Sequence, residues 1–366
     1  MLRIERKFKY FLLNFISKFL SPKKITFDKI PFREVKNILV VGQDRYGDCI
    51  LGTPALRALK LLTPDSKIIY LAHGKYADVI FNNPDISEIL VFNKKNSKKD
   101  WFKFILNLKR KRIDLAITLC THPTKLTNAF LSYISGAKIR VGYNSTYIKT
   151  DEINEEGISK LFFNYIVERP DTAKHEIEWN FKLIESLGFK DDCFDKRPII
   201  CLTSEEEETT KNIINKIKKS RESKLIGIHP LVPEGSSWKL NNYIELINKI
   251  YTINTCEVIL FWWKDELKNI KNIINETDNK PIISPETKTI RDLAGLISRL
   301  DIFIGKDTSS SHIASVFSIP SIIFFDNSVN VNQWRPWGNS NKLYTSETKF
   351  NTNDVFDTMK RFLVNC

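Results

Sequence analysis

Asp48 lies in "NILVVGQDRYGDCILGTPALRALK", Asn37 to Lys60, where a run of aliphatics ends in a glycine-bounded loop just ahead of a helix. A carboxylate there can do two things. It can cap the helix, because the unpaired N–H groups and dipole of a first turn favour negative charge. It can also take a proton from a bound hydroxyl as a general base. In the second half of the chain, "DIFIGKDTSSSHIASVFSIPSIIFFD" sets Asp307, Thr308, Ser309, Ser310, Ser311 and His312 between an apolar strand and the start of a helix. Successive N–H groups and small hydroxyls at a helix N-terminus make an anion site, and diphosphate is the natural anion of a nucleotide-linked substrate. An ordinary cap needs only one such residue; this segment supplies five and adds His312 as a further donor.

Other phosphate chemistries lack their residues. There is no G-x-G-x-x-G and no G-x-x-x-x-G-K-[ST], which argues sharply against the dehydrogenase and P-loop readings. There is no D-x-D pair to hold a divalent metal on a diphosphate, and His, Cys, Asp and Glu do not cluster at zinc spacing. No metal and no cofactor is expected, so the protein itself must neutralise any leaving group.

Both segments need strands to carry them. "NILVVG", "KIIYLAH", "ISEILVF" and "IDLAITLC" are short apolar runs separated by the helical patterns "TPALRALKLLT", "GKYADVIFNN" and "KLTNAFLSYISG". After a charged stretch, 191–223, with the acidic block "SEEEETTKNIINKIKKS", the alternation restarts with "KLIGIHP", "CEVILFW", "PIISP", "DIFIGK" and "PSIIFFD". Strands alternating with helices mean βαβ units and parallel sheets covered on both faces. The expected class is α/β with two Rossmann-like domains, whose ligands bind at the carboxyl ends of the strands.

At 366 residues and 42% hydrophobic content the chain can bury two cores. Its cysteines, Cys49, Cys120, Cys193, Cys201, Cys256 and Cys366, form no C-x-x-C pair, which fits a reducing cytoplasm. The net charge of +13 raises a nucleic-acid reading, but residues 1–24 alone hold seven Lys or Arg against one Glu. There Ile4, Phe8, Phe11, Leu12, Phe15, Ile16, Phe19 and Leu20 recur at helical spacing, with Arg3, Arg6, Lys7 and Lys18 mainly elsewhere on the wheel. Such a helix suits an anionic membrane surface better than nucleic acid, or else docks on the protein's own core. Lys9 and Lys18 interrupt it, so it is too short to span.

The segment "DRYGDCILGTPALRALK" resembles the N-terminal signature of glycosyltransferase family 9, the heptosyltransferases. "IGKDTSSSHIASVFSIPSIIFF" resembles its donor-site signature, in which D-T-G-x-x-H opens a helix. The likeness runs on in order through "RIDLAITL", "LSYISGAKIRVGY", "HEIEWNFKLIESLGF" and "WRPWG", over roughly residues 36–345. It implies a GT-B fold, two Rossmann-like domains facing across a cleft, and an inverting, metal-independent transfer of a heptose from ADP-heptose to a lipopolysaccharide-type or lipid-linked acceptor; the alternatives are a hexose or N-acetylhexosamine from another nucleotide, or a non-catalytic nucleotide-sugar- or glycan-binding protein. The division it implies is an N-terminal basic helix, 1–30, an acceptor-binding domain, 31–195, a linker, 196–222, a nucleotide-sugar domain, 223–345, and a C-terminal helix, 346–366, packing back on the first domain. A peripheral place on the cytoplasmic face of the inner membrane goes with it.

Carried over by position, Asp48 matches the general base, and Asp307, Thr308 and His312 match donor-binding positions. Ser309 stands where the family has glycine. Similar proteins also have a lysine shortly before a tryptophan to meet the donor phosphates; here Ser236 and Ser237 precede Trp238, and Lys239 follows it. In "FWWKDELK" either Asp265 or Glu266 matches an acid that meets the ribose. Arg45, with Gly47 and Thr53 beside it, is expected at the acceptor, Arg45 through its planar fork or else in a surface salt bridge. His175 reads as structural, His73, His122 and His229 as packing or loop residues, and Trp262-Trp263 as core before base-stacking.

Overall fold

In a computed structural model, residues 22–42, 45–93, 97–119, 124–144, 146–147, 156–168, 175–220, 222–232, 236, 238–263, 266–326, 329–338 and 340–364 are described. The expected amphipathic helix therefore lies almost wholly outside the described residues, as do His122, Ser237 and Asp265. The chain divides into two compact units, 1–196 and 197–366.

The first unit is built on six parallel strands: β1 Asn37–Val41, β2 Lys67–His73, β3 Glu88–Phe92, β4 Leu115–Thr118, β5 Ile139–Tyr143 and β6 Tyr165–Val167. Their order is β3-β2-β1-β4-β5-β6. Ile38, Leu39, Val40 and Val41 are all fully buried, which explains why β1 is an unbroken aliphatic run. The Asp114 carboxylate accepts from Lys36 N at 3.0 Å and Asn37 N at 3.1 Å, fixing where β1 begins beside β4. At the other end of β1, Gly42 is required: a Cβ there would collide with the Tyr70 phenol of β2.

The helices of this unit are α1 Tyr46–Leu51, α2 Thr53–Leu62, α3 Lys98–Arg110, α4 Leu126–Ile134, α5 Glu156–Phe162 and α6 Glu176–Ser186. His175 has the structural role expected of it, since its Nδ1 caps α6 by accepting from Ile177 N at 3.2 Å. The helix expected in "GKYADVIFNN" is only a 3-10 turn, Ala77–Ile80. Asn82 follows with φ +62°, and a left-handed residue cannot continue a right-handed helix.

The second unit has β7 Lys224–Ile228, β8 Cys256–Leu260, β9 Ile282–Ile283, β10 Ile302–Lys306, β11 Ser321–Phe325 and β12 Asn341–Thr345. The order β9-β8-β7-β10-β11-β12, again parallel, repeats that of the first unit. Its helices are α7 Ser204–Ile217, α8 Leu240–Ile250, α9 Leu267–Glu276, α10 Ile290–Ile297, α11 Ser309–Val316, α12 Val331–Trp334 and α13 Thr352–Val364. Trp238 stacks on Phe324 at 4.5 Å and on Phe350 at 5.3 Å in its core.

The stretch 196–222, expected as a linker region, holds helix α7. This helix is clamped to α10 by Arg291, which donates Nε to Glu206 Oε1 at 2.6 Å and Nη2 to Cys201 O at 2.7 Å. The Arg291 hydrogen bond holds the Glu206 carboxyl below its usual range although burial opposes it. The C-terminal helix α13 uses its apolar face within the second unit, where Val355 and Met359 are fully buried in the core. Each such side chain is worth about 1.5–3 kcal/mol of burial, enough to commit the helix to that core.

Candidate active site

In each sheet the chain reverses direction beside its first strand, and ligands of open parallel sheets bind outside the carboxyl ends at that point. In the first unit the place lies after β1 and β4; in the second it lies after β7 and β10.

After β1 come Gly42 and then Arg45, which leads into α1. Asp48 is half-buried, and its Oδ2 accepts from Arg45 N at 2.7 Å. One oxygen thus caps the helix, and the cap holds the carboxylate at the carboxyl edge of the sheet. Arg45 is exposed and forms no ion pair among the described residues. Tyr46 stacks edge-on against Tyr76 at 4.9 Å, and burial, with smaller contributions from Asp78 and Tyr76, pushes its phenol up to about 12. Gly47 is a half-buried backbone position in α1. Thr53 does not face a ligand: it is 1% exposed and its hydroxyl donates to Ile50 O at 2.7 Å, closing the junction of α1 and α2.

The second unit brings most of its predicted residues together. Thr308 is the N-cap of α11, with Ser311 Oγ donating to Thr308 O at 2.7 Å. Thr308 Oγ1 lies 3.2 Å from Ser310 Oγ, which lies 3.0 Å from His229 Nδ1. His229 Nε2 is 3.0 Å from Glu266 Oε2, which also accepts from Trp263 N at 2.8 Å. A carboxylate can only accept, so His229 donates Nε2–H to Glu266, while Nδ1 and the Ser310 hydroxyl share the second hydrogen bond. Burial pushes the Glu266 carboxyl up, but the hydrogen bond and charge of His229 with the Trp263 amide outweigh it, and the net shift is downward. His229 is therefore not a mere packing residue.

Asp307 follows β10, and burial pushes its carboxyl up to about 7. His312, 4% exposed, sets Nε2 at 4.0 Å from Asp307 Oδ1. Ser309 is half-buried at the first position of α11. Lys239 is an exposed N-cap residue of α8, and Ser236 donates to Trp238 O at 2.9 Å. Trp262 packs on the core and donates to Ser284 O at 3.0 Å, which is a structural role.

Sequence reasoning missed Lys306. Its ammonium, on a residue only 3% exposed, donates to Ser236 Oγ and to Asp326 Oδ2, the latter at 2.7 Å. Asp326 also lines a recess of about 280 Å³ with Val329, Val331 and Thr345. The available signal was a lysine closing an otherwise apolar strand, since such a charge is kept only with partners. Among the described residues no group of three or more His, Cys, Asp or Glu could hold a metal ion. Nor is any described helix long and apolar enough to cross a membrane.

The family model of glycosyltransferase family 9 (heptosyltransferase) matches residues 101–360. The chain belongs to glycosyltransferase family 9. It is 25% identical over 311 residues to lipopolysaccharide heptosyltransferase 3 of Escherichia coli K12, covering 80% of this chain and 83% of that one. Among solved structures, a family 9 glycosyltransferase of Veillonella parvula superposes with a TM-score of 0.78 at 17% identity, over 90% of this chain and 98% of that one. The E. coli ADP-heptose lipopolysaccharide heptosyltransferase II gives 0.72 at 16% identity, over 90% and 99%. The two six-stranded parallel sheets are thus those of the GT-B fold. As a family 9 member the chain is a glycosyltransferase, and the Asp307–His312 cluster, His229, Glu266 and Lys306 all lie inside the matched stretch.

Proposed function

We propose that this glycosyltransferase moves a heptose from ADP-heptose to an inner-core lipopolysaccharide or related surface-glycan acceptor, with inversion and without a metal. The observation that carries the reading is the segment after β10, where Thr308, Ser309 and the first amides of α11 follow directly on Lys306 at the carboxyl edge of the second sheet, and Thr308 Oγ1 lies 3.4 Å from Lys306 O. Amides and hydroxyls at a helix start suit a diphosphate, and the Lys306 ammonium, paired with Asp326, adds a fixed positive charge at the same sheet edge to bind it. In this reading Lys306 supplies the cation that similar sequences carry before the tryptophan, and Ser236 relays its position. Asp307, neutral over much of the range below pH 7, does not repel the anion.

Asp48 acts as general base. Its carboxylate takes the proton of the acceptor hydroxyl while the oxygen forms the new bond to the anomeric carbon, and the bond to the diphosphate breaks on the opposite face with the electron pair leaving on the phosphate oxygen. Arg45 meets an acidic group of the acceptor. Residues 1–24 hold the enzyme on an anionic membrane. Ser309 in place of glycine and Ser236 in place of lysine favour one second reading, a hexose or N-acetylhexosamine from another nucleotide. A thermal-shift panel separates the two: ADP-heptose should raise the midpoint more than ADP alone and more than UDP- or GDP-sugars, because only a ligand favouring the native state raises it. A larger shift with a UDP- or GDP-sugar would replace the proposed donor.

A further inference from the structure

Helix α3 has one face with no role in the core. Leu108 is fully buried, and Trp101 and Phe104 pack on Phe92 with ring centroids 4.7 and 5.1 Å away. At 100° per residue Phe102 and Leu106 fall on the opposite side, four residues apart on one stripe. They are 64% and 41% exposed. Lys98 and Lys109 flank that stripe on one side, Lys99, Lys103 and Arg110 on the other, all exposed. Among the described residues none of these five forms an ion pair. The single acid of the helix, Asp100, lies on the far side with its carboxylate taken by the Ser97 hydroxyl at 2.6 Å.

We propose that this face of α3, with Phe102 and Leu106 at its apex and Lys98, Lys99, Lys103, Lys109 and Arg110 around them, docks on an anionic lipid bilayer. A phenylalanine and a leucine reach the level of the acyl chains while lysine stems lie along them and raise their ammonium groups to the lipid phosphates. Five cations without an acid match an anionic leaflet. Nucleic acid fits less well, because only one of the two apex side chains, Phe102, offers a ring on which a base could stack, whereas acyl chains accept both. Leu61 of α2 makes the contrast: it is 61% exposed, but its basic neighbours are engaged, Arg57 with Asp195 O at 2.5 Å and Lys60 with Pro64 O at 2.8 Å. The surface shares its partner with residues 1–24 but no residue, and does not rest on the choice of sugar donor.

The test is co-sedimentation of the full chain with phosphatidylglycerol/phosphatidylethanolamine vesicles and with phosphatidylcholine vesicles. F102S/L106S and K99E/K103E should each lower partitioning onto the anionic vesicles about tenfold or more. L61S should leave it within about twofold, and melting midpoints and transfer to a soluble acceptor should stay as in the parent. F11S/F15S reports the share of the N-terminal segment separately. Unchanged partitioning of F102S/L106S would overturn the proposal, whatever F11S/F15S does. So would loss of a solution dimer in that variant without vesicle binding by the parent, or a K99E/K103E defect larger for duplex DNA than for vesicles.

Discussion

The loop after β1 holds its carboxylate by a main-chain hydrogen bond at the start of a six-residue helix, whereas the loops after β7 and β10 are tied by side chains that run from Glu266 through His229 and Ser310 to Thr308. The strand order is the same in both sheets. In the proposed reaction the first edge has to present a carboxylate oxygen to the acceptor hydroxyl. A site for a multiply charged anion needs donors already aimed, since reorienting them during reaction raises the barrier. One sheet topology therefore supports two kinds of loop.

That contrast can be broken at its first member with Asp48→Asn. The amide keeps an oxygen for Arg45 N–H, so the fold should lose less than about 1 kcal/mol while kcat falls roughly 10²–10⁴-fold. Turnover near the parent level with a lowered melting midpoint would reduce Asp48 to a cap.

The second member is probed by Asp307→Asn. Its carboxyl stands at about 7 in the folded chain against an ordinary 3.8, so folding takes up a proton between those values. The stability due to the neutral form is full below about pH 4 and is lost as pH rises through 7. The amide should therefore gain on the parent with rising pH, by on the order of 3 kcal/mol at pH 8, read from urea midpoints at pH 4.5 and 8. An equal gap at both pH values would mean the carboxyl is not so buried.

The smallest effect is expected for Lys306→Met, which keeps the length of the side chain and removes its charge. Donor KM should rise roughly tenfold with kcat altered less, in the manner of a lost ground-state contact to an anion. A pure fall in kcat would put Lys306 at the transition state, and no change would leave it a structural partner of Asp326.

Much of this was legible before the fold. β1 and β10 are apolar runs because both faces of a parallel sheet are covered, and the hydroxyl-rich start of α11 announces itself by composition. The His229–Glu266 pair was not legible, because 37 residues separate partners that only the β7 and β8 loops bring together. Lys306 was hidden by reading its strand as wholly apolar. α7 looked like a linker because its charged outer face dominates the sequence, while the Arg291 that anchors it is 85 positions away.

A hydrogen atom in place of a methyl group at residue 42 lets the Tyr70 phenol rest beneath the mouth of the first loop. Any larger substituent there would act as a wedge, tilting the ring and with it the entry angle of the backbone toward Asp48. Shifting that carboxylate by a fraction of an ångström would thus begin on the neighbouring strand, by trimming the phenol, before touching the acid itself.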